Sequence, residues 1–357
     1  MTDVLDRTGT DGPVPDWRVL EDTEELVVCH DRRTGLRAVI AVDDTTLGPG
    51  LGGVRWMPYP DEGAAATEAC RLARGMTLKN ALAGLPYGGA KSVILSGRPT
   101  DRQPVLRAFG TFVARLGGAY VPGVDMGTTV DDLAEIAAVA PDVACNHEDP
   151  SPWTALGVFV GIRAAVAEVD GIDDSVLAGR TVLVQGAGHV GRSLAHYLAD
   201  AGAVVAVADV DAVRAAAVAA EVGGSVVPAD AVTGYRCDVW APCATARVVD
   251  ATNAGALGCR IVAGAANDVL AERGCAALLA AHGVIYVPDF LLNAGGVVQV
   301  HAVRSGWSPD QLEAGVQNIG DRVHEVLALA RQSGRLPIDV AEQLASDRLG
   351  RPVGVPA

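Results

Sequence analysis

The chain has 357 residues, half of them apolar but only 4% aromatic, with a formal charge of -15 and an isoelectric point near 4.8. That length exceeds one hydrophobic core and predicts two domains, while the acidic balance argues against nucleic acid or an anionic membrane as the main partner. Seven cysteines without a Cys-x-x-Cys pair or His/Cys metal spacing read as reduced thiols, and the polar, acidic start is unlike a signal peptide, so a soluble cytoplasmic enzyme with a small-molecule substrate and no metal is expected.

After a polar leader over residues 1–17, ELVVCHD and LRAVIAVDD read as the strands of a hairpin turning at Thr34-Gly35. Apolar and alanine positions at helical spacing predict a helix from about Asp61 to Leu82, with Gly84 past its end as a C-cap. SVIL, a helix around 103–116, AYVPGVD and a helix from Thr129 follow. The polar, proline-containing run from Cys145 to Pro152 marks an interdomain crossing. Beyond it, helices near 153–168, 190–201 and 211–221 alternate with TVLVQG, VVAVADV and SVVP, and then come DVWAP, RIVAGA and VIYVPD with helical segments between them. Such alternation predicts a parallel, doubly wound sheet. Helices near 309–333 and 338–348 end an α/β chain of two domains, 1–150 and 151–330, with 331–357 as a terminal segment.

Gly186-Ala187-Gly188-His189-Val190-Gly191 follows the apolar strand TVLVQ and opens a helix, and Asp209 ends the next strand. This context turns a weak G-x-G-x-x-G pattern into a dinucleotide fingerprint. The first glycine permits the turn, the second lets backbone amides approach a pyrophosphate, and the third allows close helix–strand packing. The helix N-terminus favours the phosphate charge. Asp209 suits ribose hydroxyls and repels a 2′-phosphate, which favours NAD over NADP. His189 and Val190 belong to the fingerprint without a catalytic role.

Of 28 lysines and arginines only two are lysine, Lys79 and Lys91, twelve apart. Lysine can be tuned by its surroundings where arginine cannot lose its proton. Around them stand Gly75-Met76-Thr77-Leu78-Lys79-Asn80 and Gly84-Leu85-Pro86-Tyr87-Gly88-Gly89-Ala90-Lys91. Before and after come Leu51-Gly52-Gly53-Val54-Arg55, Pro122-Gly123-Val124-Asp125-Met126-Gly127-Thr128, Gly264-Ala265-Ala266-Asn267 and Asn293-Ala294-Gly295-Gly296. In this order the set resembles the amino-acid dehydrogenase superfamily of glutamate, leucine, valine and phenylalanine dehydrogenases, over roughly residues 25–345, and looks closest to the branched-chain and aromatic members. The resemblance implies an amino-terminal α/β substrate and oligomerisation domain, a Rossmann-type NAD domain, an active site in the cleft between them, and a homo-oligomer. It also implies that residues 331–357 pack back on the amino-terminal domain.

The implied reaction is NAD-dependent, reversible oxidative deamination of an L-amino acid to a 2-oxo acid and ammonia. Lys79 then matches the lysine that holds the substrate carboxylate, and Lys91 the catalytic lysine with a depressed pKa. Asp125 matches the acid/base carboxylate; as it opposes that depression, its distance from Lys91 matters. Gly52 and Gly53 let backbone approach the substrate. Asn293 matches a residue at the substrate carboxylate and nicotinamide, and Thr154 and Asn267 match residues near the carboxamide. Cys243 and Ala244 resemble a loop against the coenzyme ribose.

Leu51 stands where glutamate dehydrogenases carry a lysine for the substrate side-chain carboxylate, and Val300 where they carry a serine. A buried carboxylate would be left unpaired there at a cost of several kcal/mol, so an aliphatic or aromatic side chain is expected. Gly295–Val300 reads like valine dehydrogenases, and Gly306-Trp307 resembles some phenylalanine dehydrogenases. The chain departs from the family pattern at Ala90, which adds a methyl where backbone is expected close to substrate. It also departs at Val54, at Asp268, and at Thr245-Ala246-Arg247 in place of a Gly-Gly. A catalytically silent NAD-binding scaffold is the alternative.

Overall fold

The computed structural model describes residues 23–95, 97, 101–144, 149–171 and 177–350; the expected leader and residues 145–148 of the expected crossing lie outside them. The described residues form two compact units, one of residues 23–74 and 88–144, the other of 75–87 and 149–350.

The first unit contains β1 (Glu25–Asp31), β2 (Leu36–Asp44), β3 (Gly50–Trp56), the start of α1 (Glu62–Leu82), β4 (Gly88–Ile94), α2 (Gln103–Arg115), β5 (Tyr120–Val124) and α3 (Val130–Ala137). Its sheet runs β1-β2-β4-β3-β5, antiparallel across β1–β2 and β2–β4 and parallel on both sides of β3. Gly35 closes the β1–β2 turn at φ +73. Side chains alternate between the two faces of the sheet. Val39, Ala41 and Val93 face Ala65, Ala69 and Ala73, the small stripe that lets α1 lie close. Ile40, Ala90 and Ile94 face Leu106 and Phe109 of α2 and Leu133 of α3. Thr129 and Asp132 form a capping box that starts α3.

The second unit takes the end of α1 and then α4 (Ser151–Asp170), β6 (Thr181–Gln185), α5 (His189–Asp200), β7 (Val204–Ala208), α6 (Ala212–Glu221), β8 (Ser225–Val226) and β9 (Val239–Pro242). It continues with β10 (Ile261–Val262), α7 (Cys275–Ala281), β11 (Ile285–Tyr286), α8 (Asp289–Leu292), α9 (Gly295–Ser305), α10 (Pro309–Ser333) and α11 (Pro337–Leu349). The sheet order is β11-β10-β9-β6-β7-β8, every pair parallel. The chain leaves β6 toward β7 on one side and later fills β9 on the other, so the topological switch point lies at the carboxyl ends of β6 and β9.

By length and composition α4 could cross a membrane, but it packs against α10, α5 and α9. A Cβ at Gly157 would lie 2.8 Å from Ile319 Cδ1, and one at Gly161 only 2.2 Å from Leu292 Cδ2, so these glycines set how near the neighbours come. Ser308 and Gln311 form the capping box that opens α10, and Gly334 at φ +68 closes it. The terminal residues 331–350 group with this second unit, where Arg348 Nη2 donates to the Leu85 carbonyl at 3.3 Å. Ile338 joins Leu279 and Tyr286 in the core, and Arg273 pairs with Asp339 and Glu342.

Candidate active site

In the first unit, Lys91 occupies the middle of β4, the central strand, and is 7% exposed. Asp125 follows the last residue of β5, two strands away. Strands spaced about 4.8 Å apart would hold these side chains apart unless the strand between them stayed bare. It does stay bare: β3 places Gly53 there, and a Cβ on it would fall 2.6 Å from Asp125 Cβ and 3.2 Å from Lys91 Nζ. Over this glycine Lys91 Nζ meets Asp125 Oδ2 at 3.0 Å, which settles the distance that the sequence left open.

Arg55 stands two residues beyond Gly53, on the same face. Its Nε donates to Asp125 Oδ2 at 2.9 Å, and its Nη1 to Glu68 Oε1 on α1 at 2.8 Å; Glu68 is held in turn by Arg71. Thr128 accepts the Asp125 N–H at 3.0 Å and donates to the Val54 carbonyl at 2.8 Å. Burial alone would raise the Asp125 carboxyl, but Lys91 and Arg55 overcome it and bring the pKa to about 2. Arg55 and Thr128 lie inside motifs quoted from the sequence, yet their part became visible only once β3 was set beside β5.

Leu51 is buried on β3, and Gly52 uses its carbonyl to accept the Tyr120 hydroxyl at 3.1 Å. The methyl of Ala90 points away from Lys91, because successive residues of β4 face opposite sides, and it enters the core beside Ile94 and Phe109. The methyl expected where backbone nears the substrate thus packs into the core.

In the second unit, Lys79 lies in the last turn of α1 and its Nζ donates to Asn267 Oδ1 at 3.1 Å. The same oxygen accepts from Asn293 Nδ2 at 2.9 Å, and that Nδ2 also reaches the Ala265 carbonyl at 3.1 Å. Three residues quoted from three separate motifs thus form one amide cluster. Among the described residues Asn293 Oδ1 is buried without a hydrogen-bond partner, an acceptor that suits the N–H groups of a carboxamide. Val300 is half-buried on α9. Thr154 donates its hydroxyl to Pro150 O at 3.2 Å, and a Cβ on Gly296 would stand 2.8 Å from that hydroxyl oxygen.

The fingerprint sits at the switch point. Gly186 adopts φ +105, and a Cβ there would strike Ala244 Cβ at 2.8 Å, so the loop of Cys243 and Ala244 packs directly on the turn. A Cβ on Gly191 would meet the Gly186 carbonyl at 1.8 Å, the tight contact expected of the third glycine. Above Gly188 there is open space to 4 Å, a cradle that fits a pyrophosphate. Asp209 follows the last residue of β7 with its carboxylate already engaged, Oδ2 by the Ala187 N–H at 2.7 Å and Oδ1 by the Asp211 N–H at 2.8 Å. Each oxygen keeps a lone pair for a ribose hydroxyl. His189 begins α5 and approaches Asp149 at 3.2 Å, while Val190 sits in the first turn of the same helix. Burial pushes the Cys243 thiol up to about 12, which disfavours the thiolate a nucleophile needs. Among the described residues no cluster of His, Cys, Asp and Glu could hold a metal ion, and six cysteines are free thiols.

Residues 23–140 match the family model described as the Glu/Leu/Phe/Val dehydrogenase dimerisation domain, and residues 212–349 match that of glutamate, leucine, phenylalanine and valine dehydrogenases. The chain is 37% identical to a leucine dehydrogenase of Thermoactinomyces intermedius, over 94% of this chain and 93% of the relative. It is 39% identical to a valine dehydrogenase of Streptomyces albus, over 91% and 92%. The crystal structure of L-tryptophan dehydrogenase from Nostoc punctiforme superposes with a TM-score of 0.82 at 36% identity, covering 92% of this chain and 96% of that one.

Proposed function

The chain belongs to the Glu/Leu/Phe/Val dehydrogenase family, and from that premise we propose that it catalyses the reversible, NAD-dependent oxidative deamination of an amino acid with an apolar side chain. The observation that carries this reading is the buried Lys91–Asp125 pair, 3.0 Å apart across a glycine. When bound, NAD supplies the hydride acceptor. The Gly186–Gly191 turn and Asp209 would hold its pyrophosphate and ribose, and the Asn293 and Asn267 amides would serve its carboxamide. Asp209 at the end of β7 supports NAD over the 2′-phosphorylated coenzyme.

Lys79 takes the substrate carboxylate, with Asn267 fixing the direction of its ammonium. Asp125 enters the cycle ionised and attracts the substrate ammonium. With a pKa of about 2 it is a poor resting place for a proton, so the proton it receives moves on to a stronger base. Lys91 donates to and accepts from the water and the oxygen at Cα during hydrolysis of the iminium. Leu51 and Val300 offer nothing to pair with a side-chain carboxylate, which supports an apolar substrate and disfavours glutamate. We further propose that the protein self-associates through its first unit, on the strength of the dimerisation-domain match over residues 23–140.

The test is NADH formation from NAD at alkaline pH with valine, leucine, phenylalanine, tryptophan and glutamate. Turnover with one or more of the first four and none with glutamate is expected. Coenzyme binding without NADH from any of them would overturn the enzyme reading in favour of a silent scaffold. Light scattering reads the assembly, and a monomer would reject self-association.

A further inference from the structure

Asp289 is a carboxylate for which the reaction has no use. It stands at the start of α8, 6% exposed, deep in the second unit. A buried charge is costly unless it is hydrogen-bonded, and such a group is kept only where its bonds matter. Its Oδ2 accepts the Val269 N–H at 2.8 Å, and its own N–H donates to the Tyr286 hydroxyl at 3.2 Å. Its carbonyl accepts the Asn293 N–H at 2.9 Å. One residue therefore grips both sides of the amide cluster, the strand of chain after Asn267 through its side chain and Asn293 through its backbone.

The grip has something to hold. Asp268, between Asn267 and Val269, has φ +52, a left-handed conformation that an aspartate adopts only at a cost. Releasing the Val269 N–H would let the turn relax, and the Asn267 Oδ1 that receives Lys79 Nζ and Asn293 Nδ2 would shift with it. Around the carboxylate, burial and Asp268 raise its pKa while the Val269 N–H, Lys79 and Tyr286 lower it, with a result of about 6. At the alkaline pH of deamination it is ionised, the stronger acceptor form.

We propose that Asp289 is a positioning residue for amino-acid binding: by holding the Val269 N–H it locks the Asn267–Asp268 turn, and through Asn267 it sets the direction of Lys79 Nζ. This rests on the reading of Lys79 as the carboxylate anchor. It assigns Asp289 no contact with substrate or coenzyme.

The experiment is steady-state kinetics of the full chain at alkaline pH, with the amino acid and NAD varied separately, beside thermal melts. D289A and D289L both remove the acceptor and the buried charge, and leucine also fills the space the carboxylate leaves, so that variant should melt no lower than the parent. Both should raise KM for the amino acid about tenfold or more, with kcat within about threefold and a smaller rise in the KM for NAD, whose carboxamide Asn267 also serves. D289N keeps an acceptor oxygen and should return KM to within about threefold of the parent. N267A should raise KM similarly, and N267A/D289L no further, because both act through one contact. A stable D289L with unchanged amino-acid KM overturns the proposal, as does failure of D289N to rescue or full additivity in the double variant. K79A separates the premise: unchanged KM there rejects the anchor itself, whereas a raised KM in K79A with none in D289L rejects Asp289 alone.

Discussion

Asp125 and Asp289 are both buried carboxylates, one in each unit, and they respond to burial in opposite directions. Asp125 has two cations within 3.0 Å and is drawn down to about 2. Asp289 has a backbone N–H at 2.8 Å and no contact ion pair among the described residues, with Asp268 pressing on it, and it rises to about 6. Desolvation is the first cause in both; what differs is whether the fold answers it with full charges in contact or chiefly with a dipole. Around these two carboxylates the first unit is accordingly organised by ion pairs and the second by amides. The two should fail differently when disturbed.

The largest break expected is at Lys91. K91R keeps the charge beside Asp125 but removes an amine that can exchange its proton, and kcat should fall about 10³- to 10⁴-fold while the melting temperature changes little. Steady-state assays beside thermal melts check it, and a K91R variant with parental turnover would show that charge alone suffices.

Next comes Arg55. R55M leaves Asp125 with Lys91 and Glu68 with Arg71, so the loss should be about 2 kcal/mol rather than that of an abandoned charge. The sign of its pH dependence follows from Asp125. Its folded pKa lies below the ordinary 3.8, so its contribution to stability is complete above about pH 4 and is lost as pH falls toward 2. R55M should shrink that acid-side loss, read by denaturant midpoints at several pH values. An unchanged acid slope would mean that Lys91 alone sets Asp125.

Asp289 should show the reverse slope. Its folded pKa lies above 3.8, so its contribution is present below about pH 4 and lost as pH rises through about 6. Denaturant midpoints for D289N should lack this decline between pH 4 and 7. A parental slope in D289N would place the titration elsewhere.

The smallest effect belongs to the second unit's strained turn. Arg247 and Asp268 are the two non-glycine residues at positive φ among those described, and the Arg247 N–H donates to the Asp268 carbonyl at 2.6 Å. Arg247 falls where the family resemblance implies a Gly-Gly, so the backbone has kept the glycine conformation without the glycine. R247G should stabilise the chain by about 1 kcal/mol in chemical denaturation, and a loss would show that the arginine side chain has a use of its own.

The helices were legible because their signals are local. The alanine stripe of α1, the caps of α3 and α10 and the strand–turn–helix of the fingerprint each lie within a few residues of one another. Three elements escaped, β3, α8 and α9: α8 is a single turn, and the other two open with glycines that read as turns when taken alone. The candidate residues were equally legible as motifs, but not their pairings. That Arg55 would hold Asp125, or that Asn267 would receive both Lys79 and Asn293, depends on strand order and register, which join residues 70 and 188 positions apart. The direction of the Ala90 methyl depends on which face of β4 meets α1, a parity no single motif records.

The scarcity of lysine has a practical consequence. Apart from the α-amino group, the chain offers an acylating reagent two amines, and the fold makes them unequal: Lys91 is 7% exposed within an ion pair, whereas Lys79 is half-buried at a helix end. Amine-selective labelling followed by peptide mapping is therefore a direct gauge of the two units. Acetylation, whether by a chemist's reagent or a cell's own acyl donors, should reach Lys79 first, and the damage should appear as weakened hold on the amino acid before any slowing of the chemistry.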